Sequence, residues 1–163
     1  MKTLFVLRHA KSSWDHPHLS DFDRPLNGRG EKSAPAMGAF MRDKELVPEV
    51  IVASPAKRAK MTAQKAAEAG SFEAEILFDE RIYGAGANSL IYIIGEIGDD
   101  FGSAMIVGHN PGFEMLVHSL TGEGGRMPTA ALAVIDLDVD SWGETERGSG
   151  RLRGLYLPRE IMG

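Results

Sequence analysis

Three apolar runs of the chain lead directly into polar and charged side chains, and they limit the possible folds more than any other feature. The runs cover residues 4–7, 50–53 and 104–107, and they end in Arg8-His9, Ser54-Pro55 and Gly108-His109. A short continuous apolar run is typical of a strand buried on both faces of a parallel sheet. Ligands of open α/β sheets bind outside the carboxyl ends of the strands. The sequence therefore predicts that residues far apart in the chain share one pocket at this edge.

The segments between these runs carry helical periodicity or turn residues, so strands and helices alternate along the chain. The predicted order is a strand at 3–7, a polar connection at 11–29, a helix at 30–44, a strand at 50–53 and a helix after Pro55, then a strand at 75–78, a loop at 79–88, a helix at 89–97, a strand at 104–107 and a helix after Pro111. Residues 131–139 and 151–157 predict an antiparallel hairpin at a sheet edge. Together these elements indicate a three-layer α/β/α sandwich with a mostly parallel mixed sheet, in which the first strand is central.

Prolines near three helix starts predict how those helices begin. Ser54-Pro55 and Asn110-Pro111 each have the pattern of an N-cap followed by proline at the first helical position. Pro35 lacks the N–H that would bond to the Glu31 carbonyl, and its ring clashes with that carbonyl. The first helix is therefore expected either to begin near Ser33 or to be kinked there.

Length, charge and cysteine content limit the classes of function. The 163 residues, of which 43% are hydrophobic and 25% charged, are expected to form a single domain over 1–163. The net charge of −5 argues against nonspecific nucleic-acid binding, and no run approaches the ~20 apolar residues of a membrane span. The absence of cysteine excludes disulfides, thiolate metal sites and cysteine nucleophiles, and it favours a cytoplasmic location.

The residues after the first two strands have the chemistry of a phosphate site. His9 follows a buried strand, and a neutral imidazole is a competent nucleophile near neutral pH. Arg8 and Arg58 can each offer paired hydrogen bonds to phosphoryl oxygens, and Lys11 adds positive charge locally. The sequence therefore indicates a site that can bind a phosphoryl group and carry it covalently on His9.

Residues from the later part of the chain extend this predicted site. His109 can donate a hydrogen bond to an equatorial oxygen as charge shifts in the transition state. Asn110 and the amides that follow it form a helix start suited to an anion. Glu80 or its neighbour Asp79 can protonate a leaving oxygen and later deprotonate water, and their spacing does not choose between them. The alternative interpretation of Glu80 is an exposed carboxylate paired with Arg81 or a nearby lysine.

The polar connection also holds charged residues with two possible roles. Asp21, Asp23 and Arg24 can shape the rim of the pocket, or they can cap turns of the connection, and the second role is favoured for such residues in a loop. Trp14 can pack this loop down or contact a partner. His16 and His18 look like a metal pair but have no third ligand nearby, so they are expected to be solvated.

Several of these residues occur in ordered motifs that resemble a known family. The motifs are Leu7-Arg8-His9-Ala10-Lys11, Ser54-Pro55 with Arg58-Ala59 and Thr62-Ala63, Asp79-Glu80-Arg81-Ile82-Tyr83-Gly84, and Gly108-His109-Asn110-Pro111-Gly112. In order and separation they resemble those of the histidine phosphatase superfamily, which has the phosphoglycerate mutase-like fold. The short length, Ser12-Ser13-Trp14 and residues 21–26 resemble its SixA-type phosphohistidine phosphatase branch.

The resemblance implies specific roles for the predicted site residues. It implies that His9 is phosphorylated transiently and then hydrolysed, that Arg8, Arg58 and His109 form the phosphate pocket, and that no metal or organic cofactor takes part. Ala10 departs from the glycine common at this position in the superfamily. Glu80 fits the pattern of the mutases, whereas members of the SixA type lack a clear carboxylic acid.

The favoured hypothesis is a phosphatase that acts on a phosphohistidine protein through phospho-His9. The short chain leaves little for segments that would cover the pocket, which favours a protein-borne phosphate, although small phosphate esters also fit an open pocket. One alternative is a mutase or a small-molecule phosphomonoesterase. A second alternative, from another class, is a noncatalytic module that binds a phosphorylated partner.

Overall fold

The computed structural model describes residues 1–162, in which strands and helices alternate as predicted. The strands are β1 (Lys2–Arg8), β2 (Val50–Ala53), β3 (Glu75–Phe78), β4 (Ser103–Gly108), β5 (Leu132–Leu137) and β6 (Gly150–Tyr156). The helices are α1 (Gly28–Asp43), α2 (Lys57–Ala69), α3 (Ala87–Gly95), α4 (Gly112–Thr121) and α5 (Pro158–Ile161). Short 3-10 turns lie at Asp21–Asp23, Glu80–Ile82 and Trp142–Glu144.

The six strands form one mixed sheet in the order β3-β2-β4-β1-β5-β6. The pairs β1–β4, β2–β4 and β2–β3 are parallel, whereas β1–β5 and β5–β6 are antiparallel. The predictions of a mostly parallel sheet, a central first strand and an antiparallel edge are therefore confirmed. Because β1 and β4 run parallel and side by side, Arg8 pairs with Gly108 at their carboxyl ends.

Helices cover both faces of the sheet, which gives the predicted three layers. Phe5 and Leu7 of β1 pack with Met37 of α1 and Ala63 of α2, whereas the side chains between them on β1 pack on the opposite face, against α3 and α4. The continuous apolar run of β1 is thus explained by burial on both sides. Helices α1 and α2 approach closely, since a Cβ on Gly38 would lie 2.1 Å from the Ala66 carbonyl oxygen.

The three helix starts differ from their predictions. Helix α1 is capped by Asn27, whose side chain accepts a hydrogen bond from the Gly30 amide at 2.9 Å, and it continues through Pro35, so a start near Ser33 is wrong. Ser54 does not cap α2, which begins at Lys57 after Ala56. Helix α4 begins at Gly112, so its proline precedes the helix instead of opening it. The Ser54 hydroxyl has another partner, the ring of a histidine at the carboxyl edge of the sheet.

None of the helices within residues 1–162 is both long and apolar enough to cross a membrane.

Candidate active site

A cleft of about 380 Å³ lies at the carboxyl ends of the central strands. It is lined by Arg8, His9, Lys11, Ser12, Trp14, Asp21, Arg24, Arg58, His109, Asn110 and Thr129. Arg8 ends β1, His109 follows β4, and Arg58 lies in the first turn of α2. The structure thus brings six of the seven predicted site residues to one cleft and leaves out Glu80.

The His9 imidazole is oriented with one nitrogen free. Its side chain is buried, and Nδ1 lies 2.8 Å from the Ala10 carbonyl oxygen. Because a carbonyl oxygen only accepts hydrogen bonds, we assign the proton to Nδ1 and the lone pair to Nε2. Burial lowers the pKa of His9 to about 3, so the ring is neutral at pH 7. His9 therefore has the protonation state of a nucleophile.

The backbone around His9 is bonded to the neighbouring strand and to α2. The His9 amide donates to the Gly108 carbonyl at 2.9 Å. The Ala10 amide donates to the Thr62 hydroxyl at 2.9 Å, and that hydroxyl donates to the Arg58 carbonyl at 2.7 Å. Thr62 and Ala10 are both fully buried. One hydroxyl group thus connects the strand end that holds His9 to the helix that carries Arg58.

Arg58 is buried against Asp21 on the opposite wall of the cleft. Its Nη1 donates to the Asp21 carbonyl at 2.6 Å, and its Nη2 donates to Asp21 Oδ2 at 2.9 Å. The Asp21 carboxylate also accepts from Arg24 Nη1 at 2.9 Å and from the Tyr83 hydroxyl at 2.6 Å. The hydrogen bond from Tyr83 and those from the two arginines hold the pKa of Asp21 well below its usual range. Asp21 is therefore ionised and positions Arg58.

Sequence reasoning favoured a capping role for Asp21 and Arg24, and the structure adds a place in the cleft wall for both. The Arg24 guanidinium is 3.3 Å from the centroid of the exposed Trp14 ring and donates to the Ser13 carbonyl at 3.0 Å. Trp14 thus packs on Arg24. In the sequence, Asp21 and Arg24 are two charged residues between the motifs that contain Arg8 and Arg58. Their spacing does not reveal that the 3-10 turn folds back onto α2.

Arg8 is held by its Nη1, which donates to the Met127 carbonyl at 2.9 Å. The Asn110 amide donates to the same carbonyl at 2.9 Å and to Glu114 Oε2 at 2.8 Å. Glu114 Oε2 also accepts from the Met127 amide at 2.7 Å. Asn110 was predicted to bind substrate. Asn110 lines the cleft, and its amide nitrogen holds the loop at Met127, a contact between residues too far apart in sequence to be predicted.

The His109 ring lies beside His9, with 5.2 Å between the ring centroids. Its Nε2 is 2.8 Å from the hydroxyl of the fully buried Ser54. Burial lowers the pKa of His109 to about 4, and the nearby Arg58 charge acts in the same direction. The ring of Tyr83 packs edge-on at 5.4 Å. Because the Ser54 hydroxyl oxygen already accepts from the Ala56 amide at 3.2 Å, we assign its proton to the bond with Nε2, which leaves the His109 proton on Nδ1 as a hydrogen-bond donor.

Two buried polar atoms of residues that line the cleft have no hydrogen-bond partner among residues 1–162. They are Arg8 Nε and His109 Nδ1, and the third such atom among residues 1–162 is the Thr145 hydroxyl, away from the cleft. An unpartnered buried donor costs roughly 1–3 kcal/mol. A phosphoryl group supplies oxygens that accept such donors, so the cleft is arranged for an oxyanion.

The two remaining predicted residues differ in their placement. Lys11 lines the cleft and is exposed. Glu80 is exposed in its 3-10 turn, and Asp79 pairs with Arg81 at 2.7 Å. Arg81 pairs with Asp79 and with Glu96, so the expected partnership with Glu80 is wrong. The structure does not place Glu80 or Asp79 among the residues that line the cleft.

The structure also locates the two histidines that follow the first motif. His16 and His18 are exposed, with 6.2 Å between their ring centroids. Within residues 1–162 no three histidine or carboxylate side chains are grouped closely enough to hold a metal ion.

Comparison with known proteins identifies the family of this chain. The model of the histidine phosphatase superfamily, branch 1, matches residues 4–89. An uncharacterised chloroplast protein of Arabidopsis thaliana is 32% identical, over 96% of this chain and 78% of its own. An uncharacterised protein of Mycobacterium tuberculosis is 30% identical, over 94% of this chain and 100% of its own.

A solved structure agrees with this assignment in fold and in sequence. A candidate SixA phosphohistidine phosphatase of Agrobacterium tumefaciens has a TM-score of 0.83 and 29% identity to this chain, with 96% of this chain and 98% of that protein covered. The predicted phosphoglycerate mutase-like fold is confirmed. With four ordered motifs, a matching family model and this shared fold, the chain belongs to the histidine phosphatase superfamily.

Proposed function

We propose that the protein hydrolyses the phosphoryl group of phosphohistidine on another protein, through a covalent intermediate on His9. The observation that carries the proposal is the hydrogen bond from His9 Nδ1 to the Ala10 carbonyl, which leaves Nε2 unprotonated in a cleft lined by arginines. Membership of the superfamily supports the coarser activity, phosphoryl transfer. The protein-borne substrate is our inference.

In the first step the His9 Nε2 lone pair attacks phosphorus and forms a P–N bond. The P–N bond to the substrate histidine breaks, and its electron pair stays on the departing imidazole nitrogen. The other nitrogen of the substrate ring takes a proton from bulk water before cleavage, so the ring departs as neutral imidazole. Arg8 and Arg58 neutralise the charge of the transferring group, and the His109 Nδ1 proton can bond to an equatorial oxygen.

Phosphohistidine is favoured over an alkyl phosphate ester because of the carboxylates available in the cleft. Among the described residues Asp21 is the one carboxylate in the lining, and it is held ionised by Tyr83 and two arginines. The cleft therefore offers no carboxylic acid to protonate a leaving alkoxide. Phosphohistidine needs none, because its departing imidazole is a weak base compared with an alkoxide. The alkyl phosphate esters that a mutase handles lack this property.

In the second step water attacks the phosphorus of phospho-His9. A new P–O bond forms, the P–N bond breaks, and its electron pair returns to His9 Nε2 as inorganic phosphate leaves. The water loses one proton, which passes to the phosphate or to bulk solvent. The neutral His9 is regenerated with Nδ1 still bonded to Ala10, so the site is ready for another cycle.

A relative supports the proposed substrate. The candidate phosphohistidine phosphatase of Agrobacterium tumefaciens matches 96% of this chain at 29% identity, so the likeness extends over the whole domain and is not limited to one motif. We infer that the present chain acts on the same class of substrate. The Arabidopsis thaliana and Mycobacterium tuberculosis relatives are uncharacterised, so they give no information about the substrate.

The test is a rapid-quench experiment with a peptide phosphorylated on histidine. Wild-type protein should release inorganic phosphate and carry acid-labile, base-stable phosphate on His9 before the steady state. His9→Asn keeps an amide donor for Ala10 and removes the nucleophile, so it should show neither signal. Turnover by this folded variant would overturn the covalent route. Binding without release would favour a noncatalytic module, and transfer to an added hydroxyl acceptor would favour a mutase.

A further inference from the structure

A second cleft, of about 640 Å³, adjoins the active site and belongs to no step of the proposed reaction. Lys11 and Thr129 line both clefts, so the two lie next to each other. The second cleft extends away from His9 between the start of α1 and the short helix α5. We call it the flanking cleft.

Three cations line the flanking cleft without a carboxylate partner among residues 1–162. They are Lys11, Arg29 in the first turn of α1 and Arg159 in α5, and all three are exposed. Each of the six ion pairs within residues 1–162 involves other arginines. The chain as a whole carries a net charge of −5, so three unpaired cations in one cleft are a local concentration of positive charge.

The other side of the flanking cleft is partly apolar. Leu157 and Pro158 are half-buried there, and Met162 is 49% exposed. A cleft that presents guanidinium groups next to apolar side chains is complementary to a ligand that has both carboxylates and apolar groups. A polypeptide segment with acidic and apolar residues has this composition, whereas a sugar phosphate has no apolar group to place there.

We propose that the flanking cleft binds an acidic segment of the phosphorylated protein, next to the phosphohistidine that enters the active site. This rests on the proposed function, because it assigns a docking surface to the same substrate. Because the two clefts meet at Lys11 and Thr129, one polypeptide that crosses these residues can reach both. Arg29 and Arg159 then select acidic residues beside the phosphohistidine, and complementary charge increases the rate of productive encounter.

The test compares two peptides that carry the same phosphohistidine, one flanked by glutamates and the other by glutamines. Wild-type protein should show a kcat/KM about tenfold higher for the glutamate peptide, and added salt should reduce this preference. The double variant Arg29→Glu/Arg159→Glu should lose the preference. Its turnover of phosphoramidate, which reaches the active site alone, should stay within about twofold of the wild-type value.

A matched control carries the same change of net charge at other exposed positions. Lys44→Glu/Arg147→Glu alters two cations that line neither cleft, and it should retain the preference. Arg29→Gln/Arg159→Gln gives a milder variant if the charge reversal prevents folding. Loss of preference in the Lys44/Arg147 control, or its persistence in both Arg29/Arg159 variants, would overturn the proposal.

Failure of the proposed function gives a different result from failure of the flanking cleft. If wild-type protein hydrolyses no phosphohistidine, binding of a fluorescent unphosphorylated glutamate peptide still measures the cleft, and Arg29→Glu/Arg159→Glu should weaken it about tenfold. Equal binding by both proteins would reject the cleft. If Arg29→Glu/Arg159→Glu weakens the binding of a bisphosphorylated sugar but not that of the peptide, the cleft binds a small molecule and the peptide assignment is wrong.

Discussion

Asp21 holds the Arg58 guanidinium through two different oxygens, its backbone carbonyl at 2.6 Å and its carboxylate Oδ2 at 2.9 Å. A guanidinium has five N–H donors, so this arrangement uses two and leaves three for a phosphoryl group. The carboxylate is also negative and repels the phosphate that Arg58 attracts. Asp21 therefore stabilises the orientation of Arg58 while it weakens the electrostatic attraction of the site for an anion.

Asp21→Asn separates these two effects. The variant loses the charge that fixes Arg58 and Arg24, so we expect kcat on a phosphohistidine peptide to fall about tenfold as the transferring group is held less accurately. The inhibition constant for inorganic phosphate should change less than kcat, because the lost repulsion offsets the poorer geometry. Steady-state kinetics with phosphate as inhibitor measure both quantities. A KM increase at constant kcat would contradict the positioning role.

The Thr62 hydroxyl should be needed for both stability and activity. Thr62→Val leaves the buried Ala10 amide without its partner, which lowers the free energy of unfolding by about 1–3 kcal/mol. Urea denaturation measures this loss. Thr62→Ser keeps the hydroxyl and is the matched control, so it should recover most of the stability and activity. A large loss in Thr62→Ser with little loss in Thr62→Val would show that the methyl group matters and the hydrogen bonds do not.

Arg8 should bind phosphate through its unpartnered Nε. Arg8→Lys retains the positive charge but has no equivalent donor at this position, so we expect the affinity for inorganic phosphate to fall about tenfold. The rise in Tm with added phosphate measures the affinity, since a ligand that binds only the folded protein stabilises it. An unchanged Tm response in this variant would mean that charge alone accounts for phosphate binding.

Buried His9 should make the protein less stable in acid. The pKa of His9 is about 3 in the folded protein and about 6.5 when exposed, so between these values the unfolded chain binds a proton that the folded chain does not. The free energy of unfolding therefore falls as pH decreases through this range, by about 2 kcal/mol between pH 7 and pH 5 from this group. His9→Asn removes this titrating group. Between pH 7 and pH 5, the free energy of unfolding of the variant, measured with urea, should therefore fall by about 2 kcal/mol less than that of the wild-type protein. Parallel pH profiles for the two proteins would contradict the lowered pKa.

Glu80 should contribute little to turnover. It is exposed and does not line the cleft, so Glu80→Gln is expected to leave kcat/KM for a phosphohistidine peptide within about twofold of the wild-type value. The same comparison with an aryl phosphate checks whether any substrate needs this carboxylate. A hundredfold loss on either substrate would restore Glu80 as a general acid.

The sequence predicted the parts of the site that depend on strand order. Arg8, His9 and His109 follow apolar runs, and parallel neighbouring strands bring such positions together without any further information. The same reasoning placed Arg58, because its helix starts soon after a strand. Element types were predicted for a similar reason: burial on both faces of β1 gives a short continuous apolar run, and the helices show apolar residues at helical spacing.

The remaining parts depend on tertiary contacts that have no local signature. Asp21 reaches Arg58 because a 3-10 turn folds across the cleft, and Asn110 is bound to Met127, which is distant in sequence. The cap predicted at Ser54 failed because α2 begins only at Lys57, so the Ser54 hydroxyl oxygen accepts from the Ala56 amide, at 3.2 Å, before the helix starts. The same hydroxyl bonds to the His109 ring, a partner that follows β4 and that local rules for capping do not consider.

The position of β1 in the sheet also decides when the site can form during folding. Both neighbours of β1, which are β4 and β5, come from the second half of the chain, so β1 has no strand partner until Ser103–Gly108 has been synthesised. Contacts of such long sequence separation form slowly, and an unpaired apolar strand is prone to aggregation while it waits. His9 is thus synthesised early, but the strands that place it in the cleft pair with β1 late. Enzymatic activity is therefore expected to appear only when β1 has paired with both β4 and β5.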